Sequence, residues 1–172
     1  MKKLAFVFAT AALLASCGQN KEESTELNDP VVQPETTVEE PEVSQTVEAD
    51  VYLELLSDDQ MQYDKKELKV TSGQTVALTL KHTGKMDKAV MGHNFVLLKA
   101  GVEMNEFATK AMAAKETDYI PEDQSDIIAY TGVIGGGESV TITFEAPAPG
   151  TYDYLCSFPG HYSIMNGKLV VE

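Results

Sequence analysis

Between Cys156 and Met165 the chain sets a thiol, an imidazole and a thioether in one short loop, Cys156-Ser157-Phe158-Pro159-Gly160-His161-Tyr162-Ser163-Ile164-Met165. Thiolate and thioether are soft donors suited to copper, and imidazole serves either oxidation state of that metal. Two imidazoles, one thiolate and a weak axial thioether make a trigonal site that passes electrons one at a time. The loop supplies a single His, so such a site needs another from elsewhere. The chain has 3 His, and one stands in Met91-Gly92-His93-Asn94. The candidate ligands are therefore His93, Cys156, His161 and Met165, and the ion they suit is copper. A lone His is usually a satisfied structural residue. Two of them with a Cys and a Met in the order His…Cys-x4-His-x3-Met favour a metal site.

Those ligands need a scaffold that brings distant strand ends together. From about Asp50 onward the pattern becomes alternating or short apolar runs. Val51–Leu55, Leu68–Val70, Thr75–Leu80, Asn94–Leu98, Ile127–Thr131, Ser139–Phe144, Thr151–Cys156 and Lys168–Val171 all read as strands. Ser72-Gly73, Thr83-Gly84, Gly135-Gly136-Gly137 and Pro147-Ala148-Pro149-Gly150 punctuate them. About eight short strands at this spacing predict an all-β Greek-key sandwich or barrel. Asn105–Lys115, rich in Ala, Met and Lys, predicts one short inserted helix. The Gly135–Gly137 run reads as a hairpin turn, because a phosphate loop would be followed by Lys-Ser/Thr and a helix. Cys156 then ends one strand, His161 and Met165 lie in the following turn, and His93 starts a different strand. A rigid loop at one pole would hold a single geometry for both oxidation states.

These motifs resemble azurin, the bacterial cupredoxin. The resemblance rests on Asp59-Gln60-Met61-Gln62-Tyr63, on His82-Thr83-Gly84-Lys85 through Val90-Met91-Gly92-His93-Asn94-Phe95-Val96-Leu97, and on Cys156 through Met165. It covers roughly Asp50 to Glu172. It implies a blue copper centre and a non-enzymatic carrier of single electrons. It also implies a weak axial contact from the Gly92 carbonyl, opposite Met165. Asn94 would clamp the Cys156 loop, and backbone N–H groups near Ser157 and Phe158 would bond the Cys156 sulfur. His161 would reach the surface through an apolar docking patch of Met61, Met86, Met91, Phe158 and Pro159. The plainer reading of the three Met is core filler. The chain departs from azurin in lacking its disulfide, whose positions fall near Val51 and Gly73, and in carrying Phe95 where azurin has a buried Trp. His82, the remaining His, matches a family position near the copper. A core His satisfied by hydrogen bonds explains it as well, and it is left out of the ligand set.

The front of the chain has a different character. Lys2-Lys3 and the apolar stretch Leu4–Leu14 make an export signal too short to span a bilayer, which needs roughly 20 apolar residues. It ends Leu14-Ala15-Ser16-Cys17-Gly18, which resembles a bacterial lipobox and implies lipidation of Cys17. Residues 18–49 carry one base, Lys21, many acids, three prolines and no aromatics. Such a segment cannot bury enough apolar surface to offset its ordering entropy. The expected organisation is signal peptide 1–16, lipidated Cys17 with an acidic tether 17–49, and an electron-transfer domain 50–172. A net charge of −14 with no Arg argues against nucleic-acid binding. The expected partners are redox proteins of a bacterial envelope, cytochrome-like or copper enzymes, met at the periplasmic face or cell surface. A copper storage or delivery module and a copper enzyme are the competing functions. Delivery favours exposed Met-rich or His-rich runs, and an enzyme needs an open metal position.

Overall fold

The computed structural model describes residues 48–172. The expected signal segment, Cys17 and nearly all of the expected tether lie outside these residues. Eight strands form two sheets. They are β1 (Val51–Ser57), β2 (Glu67–Val70), β3 (Thr75–His82), β4 (Val96–Leu98), β5 (Ile127–Tyr130), β6 (Ser139–Glu145), β7 (Gly150–Leu155) and β8 (Asn166–Val171). One sheet has the order β1-β3-β6 and the other β2-β8-β7-β4-β5. β1 pairs parallel to β3 and β2 parallel to β8, while the other pairings are antiparallel. No helix among the described residues is long and apolar enough to cross a membrane.

Alternation in sequence becomes a two-sided sheet. In β3, Val76, Leu78 and Leu80 point inward and are fully buried, while Thr79 and Lys81 turn outward. They meet Phe95, and Leu97, Tyr154 and Leu169 of the facing sheet, in the main core. Each such aliphatic side chain contributes about 1.5–3 kcal/mol through burial. Phe95, where the resemblance expects a Trp, is completely enclosed there.

The inserted helix, α2, runs Met104–Met112 and is followed by a 3-10 turn at Lys115–Thr117. It lays Phe107, Ala108 and Ala111 over Val96, Leu98, Ile127 and Leu155 in a second core. This explains why all three residues of β4 are buried: the strand is covered on both faces. A short helix not anticipated from the sequence, α1 (Lys88–Met91), is capped by the Asp87 carboxylate, which accepts from the Ala89 N–H at 2.8 Å. β4 starts at Val96, two residues later than expected, because His93 leaves the ladder for an isolated bridge to Ile134.

The Gly135–Gly137 run is not a hairpin turn. It leads from β5 in one sheet to β6 in the other. A Cβ at Gly135 or Gly136 would press into the backbone of Lys88 or Lys85, so these glycines let the two segments pass closely. Register fixes the poles. β1 enters at Val51 opposite Val76 and ends at Ser57 opposite His82. His82, His93 and Cys156 thus gather at one end of the sandwich, and the Ser72-Gly73 and Pro147–Gly150 turns at the other.

Candidate metal centre

Cys156 follows the end of β7, and its N–H donates to the Met165 carbonyl at 2.9 Å, closing the loop into β8. Inside the loop, the Met165 N–H donates to the His161 carbonyl at 2.8 Å and the His161 N–H to the Phe158 carbonyl at 3.0 Å. Gly160, at φ +84°, supplies the left-handed step between Pro159 and His161. His93 is set by two backbone bonds with Ile134, at 3.0 and 2.8 Å.

The three side chains converge. His93 Nδ1 and His161 Nδ1 are 3.2 Å apart, and Cys156 Sγ lies 4.0 Å from the first and 3.7 Å from the second. All three residues are buried. His93 Nε2 sits 2.8 Å from the Asp58 carbonyl, which can only accept, so Nε2 holds the proton and Nδ1 turns its lone pair inward. No protein group among the described residues takes His161 Nε2, and no buried side-chain nitrogen there is left unpaired. The small exposed part of His161 is therefore its Nε2 edge.

Burial sets the charge states. It lowers the His93 pKa, against the Asp58 carbonyl bond that raises it. It pushes His161 down to about 4, with His93 adding to the effect. Both rings stay neutral and offer lone pairs at neutral pH. Burial pushes the Cys156 thiol up to about 12, although the backbone N–H groups of Asn94 and Phe158 point at the sulfur and favour thiolate. A cation at the convergence point would displace that proton and reconcile the facing donors. Two imidazole nitrogens and a sulfur suit a soft metal, so the donor set fits copper.

The other sequence-predicted residues differ in burial and in partners. Met165 is fully enclosed in the same core cluster as Cys156. Gly92 is buried where a side chain would run into the Lys88 carbonyl, Val133 and Phe158. Asn94 accepts the Ser157 N–H through Oδ1 at 2.8 Å and donates to Ser157 Oγ at 2.8 Å, so it clamps the Cys156 loop. The Tyr63 hydroxyl donates to the Asn94 carbonyl and holds the clamp from behind. Phe158 lies against His161 with ring centres 4.8 Å apart. Met86 and Pro159 are exposed, while Met61, Met91 and Phe158 are half-buried. Met61 and Phe158 pack against the main core.

His82 stays out of the cluster. Its Nε2 reaches the Met91 carbonyl at 3.0 Å, its Nδ1 accepts the Gly84 N–H at 3.0 Å, and its ring stacks on His93 at 4.5 Å. The hydrogen-bonded core reading of this residue holds. Asp59 joins the two loops behind it, accepting the Lys85 and Met86 N–H groups at 2.9 and 3.2 Å. The Asp58 carbonyl and the Tyr63 hydroxyl had no assigned role in the sequence. A carbonyl carries no residue-type signal, and only the Asp59–Tyr63 motif hinted that this segment reaches the site.

The copper binding proteins of the plastocyanin/azurin family match residues 49–172. This chain belongs to that family. Its members are blue copper electron-transfer proteins, and copper is the cofactor that the donor set suits. The chain is 42% identical over 126 residues to azurin-1 of Alcaligenes xylosoxydans xylosoxydans, covering 70% of this chain and 97% of that one. It is 40% identical over 118 residues to outer membrane protein H.8 of Neisseria meningitidis serogroup B, covering 67% of this chain and 64% of that one. Among solved structures, dithionite-reduced auracyanin from Roseiflexus castenholzii superposes with a TM-score of 0.65 at 40% identity. That match covers 73% of this chain and 99% of the other. The azurin resemblance drawn from the separated motifs is borne out, as is the β-sandwich with a short inserted helix, α2.

Proposed function

We propose that the protein is an exported, lipid-anchored carrier that moves single electrons between redox proteins of a bacterial envelope. In this reading His93, Cys156 and His161 hold the copper. The Met165 thioether and the Gly92 carbonyl would hold it more weakly. The observation that carries the reading is the convergence of His93 Nδ1, His161 Nδ1 and Cys156 Sγ, all on buried residues. Bound copper supplies a one-electron Cu(I)/Cu(II) couple. The chain's own residues do the rest. The imidazoles stay neutral, the Asn94 and Phe158 N–H groups stabilise the sulfur's negative charge, and the Asn94–Ser157 clamp keeps the loop from rearranging. Such bonds around the ligands tune a metal's potential.

The His161 Nε2 edge is the exit for the electron. The docking patch is Met61, Met86, Met91, Phe158 and Pro159, and Val90, next to Met91 in the chain, and Ile164, in the Cys156–Met165 loop, are further exposed apolar residues. Copper delivery fits less well, because a delivered ion needs ligands open to exchange and both His93 and Cys156 are completely enclosed. The lipobox-like Leu14–Gly18 supports anchoring through Cys17, and the outer-membrane name of one relative agrees with an envelope location.

The test is the colour of the copper(II)-loaded chain. An intense blue that Cys156→Ser abolishes is expected, and a colourless wild-type protein would sink the assignment. Anchoring is read separately. Wild-type protein is expected in the membrane fraction of a bacterial host and Cys17→Ser in the soluble fraction, and equal partition of the two removes the lipid anchor.

A further inference from the structure

Two consecutive non-glycine residues, Asp118 and Tyr119, hold left-handed backbone at φ 55° and 60°. They stand at the end of the helical insertion, just past the 3-10 turn and before buried Ile120. A strained pair of this kind persists only when its surroundings over-determine it. Here the surroundings are the clamp on the Cys156 loop. The Asp118 carbonyl accepts from Asn94 Nδ2 at 3.1 Å, and the Tyr119 carbonyl accepts from Ser157 Oγ at 2.8 Å. Asn94 Nδ2 also donates to Ser157 Oγ. The two amide protons of Asn94 and the hydroxyl proton of Ser157 are thereby all used, and two of these three end on the strained turn. The turn is itself pinned. Asp118 Oδ2 accepts the Val133 N–H at 3.1 Å, Oδ1 pairs with Lys88 Nζ at 3.2 Å, and the Tyr119 N–H donates to the Ala114 carbonyl at 2.8 Å. The Tyr119 ring stands edge-on to Phe158, with ring centres 5.1 Å apart.

We propose that Asp118 and Tyr119 are positioning residues for the metal loop, and that the helical insertion serves the centre by aiming their two carbonyls at Asn94 and Ser157. This rests on Cys156 being a copper ligand. The turn completes the hydrogen bonding of the residue next to Cys156 and of the residue next to His93, and so holds the spacing between the two ligand-bearing segments.

The test compares full-length wild type with Asp118→Ala and Asp118→Asn, metal-free and copper-loaded. In the metal-free protein, hydrogen exchange is read at the Ser157 amide, which the clamp protects, and at the Leu78 amide in the far sheet. Asp118→Ala is expected to speed exchange at Ser157 by about tenfold, as loss of the partly buried bond from the Val133 N–H implies, and to leave Leu78 unchanged. It is also expected to move the reduction potential of the copper-loaded protein. Asn tolerates left-handed backbone and keeps an acceptor for Val133, so Asp118→Asn should restore both. Lys88→Met is the milder variant should Asp118→Ala not fold. Removing one exposed ion pair should speed Ser157 exchange about twofold. Unchanged Ser157 exchange in both variants, or an equal rise at Leu78, overturns the proposal. A wild-type chain that stays colourless with copper defeats the ligand reading alone, since the exchange comparison needs no metal.

Discussion

The two poles of the sandwich are closed in different ways. At the distal pole the turns are held by backbone bonds together with exposed or partly buried side-chain bonds, the Thr71 N–H to Gln74 Oε1 at 2.8 Å and the Tyr152 hydroxyl to the Ala148 carbonyl at 2.8 Å. Ser72 N–H donates to the Glu172 carbonyl at 2.9 Å and Gly73 N–H to the Ala146 carbonyl at 3.0 Å, with open space around Gly73. At the site pole, side chains bond backbone across separate loops, and His82, His93, Asn94, Ser157 and His161 are all buried polar groups with partners. The distal turns' side-chain bonds lie at or near the surface, where water can replace a lost partner. The site turns need particular side chains, because each buried donor left without a partner costs about 1–3 kcal/mol. The contrast teaches where this protein's specificity is stored. The sheets provide stability that many apolar sequences could supply. The site pole provides one arrangement.

Substitutions at the two poles can break or sharpen this contrast. The largest effect should come from Cys156→Ser. It removes the only thiol among the described residues and should abolish the blue colour, read by visible absorption, while circular dichroism stays all-β. Next is Asn94→Ala, which orphans the Ser157 N–H and takes the Nδ2 donor away from Ser157 Oγ and the Asp118 carbonyl. Urea unfolding of the metal-free protein should show a loss of about 1–3 kcal/mol for each orphaned group. Acid should come third and act through the site pole. Burial lowers the His161 pKa to about 4 in the fold from an ordinary 6.5. The unfolded chain therefore takes up the proton first as pH falls. Metal-free stability should be fully present above the ordinary value and decline as pH drops toward 4. A His161→Gln variant should flatten this part of the profile. The smallest effect is expected from Gly73→Ala at the distal pole. Its φ is +76° and nothing crowds it, so the cost is backbone strain alone, about 1 kcal/mol, with the colour untouched. A Gly73 variant as damaging as Asn94→Ala would erase the distinction between the poles.

Much of this was legible in the chain. His93, Cys156 and His161, which the structure brings together, announced themselves because ligand chemistry is written in side-chain type and spacing. The eight strands were legible because apolar alternation is a local signal. α1 was not, since four residues are too few for helical periodicity, and its Asp87 cap is one Asp among many. Gly135–Gly137 was read as a hairpin because a glycine run marks a turn without saying which strands it joins. Asp58, Asp118 and Tyr119 were silent for a deeper reason. They act on the site through main-chain oxygens, which every residue has. The Met residues of the proposed docking patch were legible in kind but not in exposure, since Met61 and Met91 are half-buried and Met86 is exposed.

The parallel pairing of β1 with β3 has a practical consequence. β1 rises from Val51 to Ser57, about 20 Å at strand spacing, and arrives at the site pole beside His82. Anything joined ahead of Glu48 therefore enters at the end remote from the His161 edge. A cysteine placed there for wiring to a gold electrode, or a fusion to another redox domain, would leave the imidazole face open to solution.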